Sequence, residues 1–239
     1  MERFSTVLFD LDGTLLPMDQ TKFTEFYFCE MARHAEPYGF EKKPLLKAIG
    51  ASVEAMVRND GTMTNEERFW STFQAISGRG EPEEKAILLS FYDTKFEAVK
   101  QVCGYNGEAP RLIEDLKKRG YDLILATNPL FPRKATLARI RWAGLDPLDF
   151  GLITTYEDSS FCKPNPLYFK ELLDRLLLDP KDCVLIGNDA KEDVAAETVG
   201  IRTFLLTDCL ENGKEEELTV AHGGFKALRE WLNLAEPAD

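Results

Sequence analysis

Two carboxylates stand two positions apart at the close of a short apolar run: Val7-Leu8-Phe9 leads into Asp10-Leu11-Asp12 and then Gly13. Side chains alternate faces along a strand, so this spacing aims both acids the same way where the strand stops, and the glycine permits a tight turn. Two anions at the end of a buried strand are costly unless a cation compensates them. No Lys or Arg stands nearby in sequence. A divalent metal is therefore the natural partner, and oxygen donors favour Mg2+. A polar turn capped by aspartates would explain Asp10 and Asp12 taken alone. Three further groups argue for more: Thr127-Asn128, Lys163-Pro164 and Asn188-Asp189 each follow a later apolar run. Carboxylates, a hydroxyl, an amide and an ammonium are together the inventory for holding a metal-bound phosphoryl group, with Lys163 balancing the charge.

Those groups need a scaffold that brings strand ends together. Short continuous apolar runs at 4–12, 121–126, 150–155, 183–186 and 203–206 read as buried strands. Between and after them, helical spacing predicts helices over 109–119, 132–143, 166–178, 191–199 and 225–234. Alternation of this kind means a parallel sheet covered on both faces, and in such sheets ligands bind at the carboxyl ends of the strands. The expected fold is α/β, a doubly wound, Rossmann-like parallel-sheet core. Residues 17–103 differ. They carry helical steps such as Phe23, Phe26, Tyr27 and Met31, or Leu45, Leu46, Ile49, Val53 and Val57, and no strand-like run. We read them as a helical domain of about four helices inserted into a core built from 1–16 and 104–239, with hinges near Leu16-Pro17 and Gly104–Gly107.

Composition bounds the partners. The 239 residues carry a net charge of -12, which argues against nucleic acid or an anionic membrane surface. A local metal and a lysine can still admit a small anion. Five cysteines, an odd number without a CxxC pair, indicate neither a disulfide framework nor a zinc site. Cys29, Cys103 and Cys183 read as small buried hydrophobes, and a reducing cytoplasmic setting is expected. The stretch from Met1 runs straight into the first strand with no leader-like pattern, and no apolar run is long enough to span a membrane. His34 and His222 read as surface residues.

The four polar pieces resemble the four motifs of the haloacid dehalogenase-like hydrolase superfamily, in its phosphatase branch. AspLeuAspGlyThrLeu resembles the first, Thr127 the second, Lys163-Pro164 the third and GlyAsnAspAlaLysGluAsp the fourth, and the insertion resembles a C1-type cap. The resemblance implies a Mg2+-dependent phosphatase of a small phosphorylated metabolite. Asp10 would be the nucleophile, giving an aspartyl-phosphate. Asp12 would be general acid and then base, with its carbonyl on the metal. Asp10 and Asp189 would supply carboxylate ligands. Thr127, Asn128 and Lys163 would hold the phosphate. Asp193 would meet the metal through water or orient Lys163; a solvated helix residue is its plainer reading. Dehalogenases of the superfamily lack the acid two places after the nucleophile, so Asp12 favours phosphate esters. A phosphomutase of the same superfamily is the nearest alternative, and a phospho-accepting signalling domain a more distant one. A cap lysine acting as a Schiff base (Lys42, Lys43 or Lys47) has no special context. Met18, Phe23, Tyr27, Arg58 and Asn59 are candidates for selectivity. The oligomeric state is left open between monomer and dimer.

Overall fold

The computed structural model describes residues 4–234. The leader-free reading of residues 1–3 and the last part of a core extending to 239 lie outside them. The chain opens with β1 (Thr6–Phe9), every residue of which is buried. It then leaves the sheet for α1 (Gln20–Ala35), α2 (Lys42–Val57), α3 (Asn65–Ser77) and α4 (Pro82–Thr94), and a 3-10 segment over Phe96–Val102. It returns through α5 (Glu108–Lys118), β2 (Asp122–Leu125), α6 (Arg133–Trp142), β3 (Leu152–Ile153), α7 (Pro166–Leu176), β4 (Cys183–Gly187), β5 (Arg202–Leu206), β6 (Ala221–Gly223) and α8 (Phe225–Trp231). None of the described helices is long and apolar enough to cross a membrane.

The six strands form one sheet in the order β3-β2-β1-β4-β5-β6, and every pairing is parallel. β1 sits centrally: Phe9 lies opposite Leu125 on one side and Ile186 on the other. Order reverses at β1, and at such a switch point the carboxyl ends of neighbouring strands open a crevice. Main-chain bonds run on past the strand ends, from Asp10 N to Ile186 O at 2.9 Å and from Ala126 N to Phe9 O at 2.7 Å. The backbone leaving β1 is therefore fixed where the carboxylates begin.

Five expectations differ from the structure. The segment 191–199 is a run of turns followed by a 3-10 helix over Val194–Val199 rather than an α-helix. Its helical spacing is overridden by Asp193, whose Oδ2 accepts from the main chains of Asn188 and Asp189 and so holds the turn tight. The sheet has a sixth strand that Ala221-His222-Gly223 did not announce, because an edge strand can be recruited by main-chain pairing without β-prone side chains. The predicted strands at 4–12 and 150–155 shrink to four and two residues. His34 and His222 are half-buried, and His34 Nε2 lies 2.9 Å from Ile87 O and 3.0 Å from Ser90 Oγ. All five cysteines are free; Cys183 and Cys162 are buried, whereas Cys29 and Cys103 are only partly so.

The inserted helices pack onto the core through aromatic rings. Phe131, on the loop before α6, meets Phe23 and Tyr27 of α1 at centroid distances of 6.2 and 5.5 Å, both edge-on. Phe96 stacks on Trp142 at 4.9 Å. Where the insertion leaves and rejoins the core, Met18 and Cys103 form an antiparallel bridge, and Gly104 N donates to Pro17 O at 2.6 Å.

Candidate active site

Asp10 follows β1, Thr127 and Asn128 follow β2, and Asn188 and Asp189 follow β4, so parallel strands deliver all five to one end of the sheet. They meet, with Asp12, around a polar pocket of about 260 Å³ that Gln20 of α1 also lines. Lys163 reaches it from the loop before α7. Its Nζ donates to Asp10 Oδ1 at 3.0 Å and to Asp193 Oδ1 at 2.7 Å, and its side chain is 1% exposed. Asp193 is equally buried. It is no solvated helix residue: its two oxygens tie Lys163 on one side to the Asn188–Asp189 main chain on the other.

The glycine after the acid pair has a job beyond the turn. Gly13 adopts φ +87°, and a Cβ there would stand 2.3 Å from Asn188 Nδ2. Only glycine lets the β1 loop close against the β4 loop. Thr14 Oγ1 completes that junction, 2.8 Å from Asn188 Oδ1 and 3.3 Å from Asp10 Oδ2. Asn188 thus serves as a strut, donating in addition to Cys209 O at 2.7 Å. The Asn128 side chain is likewise committed, with Oδ1 accepting from Lys163 N at 3.2 Å and Nδ2 donating to Glu192 Oε2 at 2.8 Å. Thr127 is anchored through its carbonyl, which accepts from Thr154 Oγ1 at 2.7 Å and Tyr168 OH at 3.0 Å.

Arg139 and Glu192 carry no motif of their own in the sequence. Arg139 of α6 is 1% exposed and forms an ion pair with Asp12 Oδ2. Asp12 Oδ1 is buried with no hydrogen-bond partner. A signal did exist. Ala135, Thr136 and Ile140 mark the buried face of α6, and an arginine at helical spacing within that face must have a buried acid to meet. Glu192, joined to Asn128, was missed as well. Of the selectivity candidates, Phe23 and Tyr27 line an apolar chamber next to the site. Met18 is spent on the bridge to Cys103, Arg58 pairs with Glu54 at 2.6 Å, and Asn59 bonds Met63 O and Asn65 Oδ1. Lys42, Lys43 and Lys47 are exposed and line neither pocket.

The electrostatics are lopsided. Six acidic side chains line the polar pocket and no basic one does, Lys163 and Arg139 reaching in from behind. Burial pushes Asp10 up to about 7; Lys163 opposes that, and Asp193 and Asp12 add to it. Burial also raises Asp12, with Arg139 holding it back. Glu192 rises to about 7 by burial, against the pull of Lys163. A phosphate dianion would not enter so acidic a pocket unaided. Among the described residues no three His, Cys, Asp or Glu side chains converge as a ligand group. Mg2+ does not need three: it is commonly held by one or two carboxylates with waters and substrate oxygens. Asp10, Asp189 and the Asp12 carbonyl offer oxygen donors of the kind Mg2+ takes, and the Asp189 carboxylate is held in place by the Lys191 and Glu192 main chains, each at 2.8 Å, and by Asn212 Nδ2 at 2.6 Å.

An acid raised in the folded state binds a proton there that the unfolded chain has lost, so the Asp10 contribution to stability declines as pH climbs from about 4 to about 7. Mg2+ held at this carboxylate would favour its ionised form and should offset that decline. At a hundredfold excess over its Kd it should raise Tm by about 5–10 °C near pH 8, and by clearly less near pH 5. Thermal unfolding with and without Mg2+ at both pH values reads this, and an equal shift at the two would count against the site.

Comparison with known proteins agrees with the geometry. The family model for haloacid dehalogenase-like hydrolase matches residues 4–197. Pyrophosphatase PpaX of Bacillus pumilus (strain SAFR-032) is 25% identical over 201 residues, covering 83% of this chain and 81% of that protein. Ribulose-1,5-bisphosphate 5-phosphatase of Halopiger xanaduensis (strain DSM 18323 / JCM 14033 / SH-6) is 26% identical over 223 residues, covering 89% and 88%. The crystal structure of 2-haloacid dehalogenase from Pseudomonas syringae pv. Tomato DC3000 superposes with a TM-score of 0.65 at 19% identity, covering 96% and 98%. At that identity the likeness is one of fold.

Proposed function

The chain belongs to the haloacid dehalogenase-like hydrolase family, and within it we propose a Mg2+-dependent phosphatase that hydrolyses a small phosphorylated metabolite through an aspartyl-phosphate. The observation that carries this reading is the pairing of two differently furnished acids. Asp10 is gripped by Lys163, whereas Asp12, two residues later, is gripped by Arg139 and keeps one oxygen unpartnered. Two carboxyl groups with separate partners can take separate roles.

Mg2+, held by Asp10, Asp189 and the Asp12 carbonyl, would supply charge neutralisation at the phosphoryl oxygens. The chain's own groups do the rest. Lys163 orients Asp10 and spreads positive charge over it and the incoming phosphate. An Asp10 oxygen attacks phosphorus, the phosphorus–oxygen bond to the leaving alcohol breaks, and Asp12 gives that oxygen its proton. Asp12, now ionised, takes a proton from water as the water attacks the acyl phosphate, releasing inorganic phosphate and restoring both acids. Burial favours the protonated form of Asp12 that the first half needs. Thr127 and the Asn128 main chain serve the phosphoryl oxygens. Cytoplasmic residence, with no nucleic-acid or membrane partner, accompanies this reading.

The dehalogenase likeness does not compete, because Asp12 and its arginine have work only where a leaving oxygen must be protonated. A screen of phosphorylated metabolites, with phosphate release measured with and without Mg2+, tests the proposal. Turnover that vanishes on chelation is expected. Isomerised sugar phosphate without free phosphate would point to a phosphomutase instead, and a stable phospho-protein without turnover to a signalling domain.

A further inference from the structure

Beside the polar pocket lies a second chamber of about 210 Å³, and the two share Gln20, Leu130 and Phe131 as lining. A phosphate ester bound at Asp10 would therefore have its remaining part at the mouth of this chamber. The walls are aromatic: Phe23, Tyr27, Phe69, Trp70, Tyr92 and Phe131. No Lys, Arg, His, Asp or Glu lines it. Resting on the phosphatase reading, we infer that the substrate is a phosphate monoester whose leaving group is a single uncharged, mainly apolar ring. It is not one carrying a second phosphate, a carboxylate or a polyol.

Size sets the upper limit. A dry apolar cavity of about 150 Å³ accepts a benzene ring, so this chamber takes one ring with a few added atoms and no two-ring nucleoside. Charge sets the exclusion. A second anion would leave water with no basic side chain on the wall to meet it, and an unpaired buried charge is prohibitive. A polyol would bring several hydroxyls to a surface that can satisfy few. Stacked and edge-on rings, by contrast, are the surroundings a flat apolar group prefers. Polar positions are few beside the apolar wall: Gln20, Thr24, Tyr156, the buried Trp70 Nε1, and a pair of tyrosines. The hydroxyls of Tyr27 and Tyr92 lie 2.7 Å apart and satisfy each other with one hydrogen bond, so these groups can meet one or two acceptors on a ring and not the several hydroxyls of a polyol. The walls are also well supported, since Tyr27 is packed edge-on against Phe91, Phe96 and Phe131. The chamber is thus a formed cavity and not a gap awaiting collapse.

Benzyl, glycerol and methyl phosphate all release alkoxides, so comparing them reads the chamber more than leaving-group reactivity. With Mg2+ and the full chain, kcat/KM for benzyl phosphate should exceed that for the other two by about 10- to 100-fold. Val53→Trp, which fills the chamber from α2, should cut the benzyl-to-methyl ratio at least about tenfold. Should that variant fail to fold, inhibition of the unaltered protein decides: benzyl alcohol should compete with substrate at concentrations where glycerol does not. Glycerol or methyl phosphate cleaved as well as benzyl phosphate, or no competition by benzyl alcohol, overturns the inference and leaves the phosphatase reading standing. If no ester is cleaved under any condition, the phosphatase reading itself fails and carries this one with it.

Discussion

Asp10→Asn should abolish phosphate release, with kcat falling on the order of 10⁴- to 10⁶-fold, the scale seen when a covalent nucleophile is removed. The same substitution should leave the protein folded, and near pH 8 without Mg2+ it should be at least as stable as the parent. Burial raises Asp10 to about 7, so near pH 8 the folded parent carries a buried anion that Asn lacks. Lys163 keeps its other partner, Asp193, at 2.7 Å. Kinetics and denaturant unfolding on one preparation would read both halves. Retained turnover would sink the assignment of Asp10 as nucleophile. Lost turnover together with a large loss of stability would mean that Asp10 serves the fold first.

Arg139→Met should have the opposite profile, with stability as its main casualty. Arg139 is nearly inaccessible and its partner Asp12 is largely buried. Removing one member of a buried pair leaves the other uncompensated, at a cost of about 3–5 kcal/mol. For a chain of this size that is a Tm drop of about 6–20 °C. The contact of the guanidinium with the Phe131 ring, 4.3 Å from its centroid, is lost as well. Activity should also decline, since Asp12 would bind its proton too tightly to act as base in the second half-reaction. The double variant with Asp12→Asn should regain much of the lost stability, because the orphaned charge is gone. A double-mutant cycle with no coupling between the two positions would show that the pair matters little.

These two residues also mark what could and could not be read from the chain. Asp10 was legible because strand period, apolar context and an acid pair coincide within a few residues. Lys163, 153 positions away from it, became legible only through the rule that parallel strands collect their ends. Arg139 escaped because it sits in mid-helix with no polar neighbour of motif type, and its partner lies 127 positions earlier. The 191–199 segment misled for a related reason. Helical spacing there is real, but Asp193 is drawn off to Lys163 and to the preceding main chain, and local periodicity cannot register a distant lysine. β6 shows the same limit in a strand, where pairing to β5 decides and composition does not.

The crossing at Met18 and Cys103 carries a consequence for the molecule's history. An excursion of four helices starts and finishes at positions joined by the Met18–Cys103 bridge and the hydrogen bond from Gly104 N to Pro17 O. Seen from the sheet, that whole excursion subtends no more than a tight hairpin. A cassette with its two ends already together can be lengthened, traded or rebuilt while the strands beneath keep their register. One inherited machine for handling phosphate can therefore be refitted to a new compound by changing only what is plugged in above it.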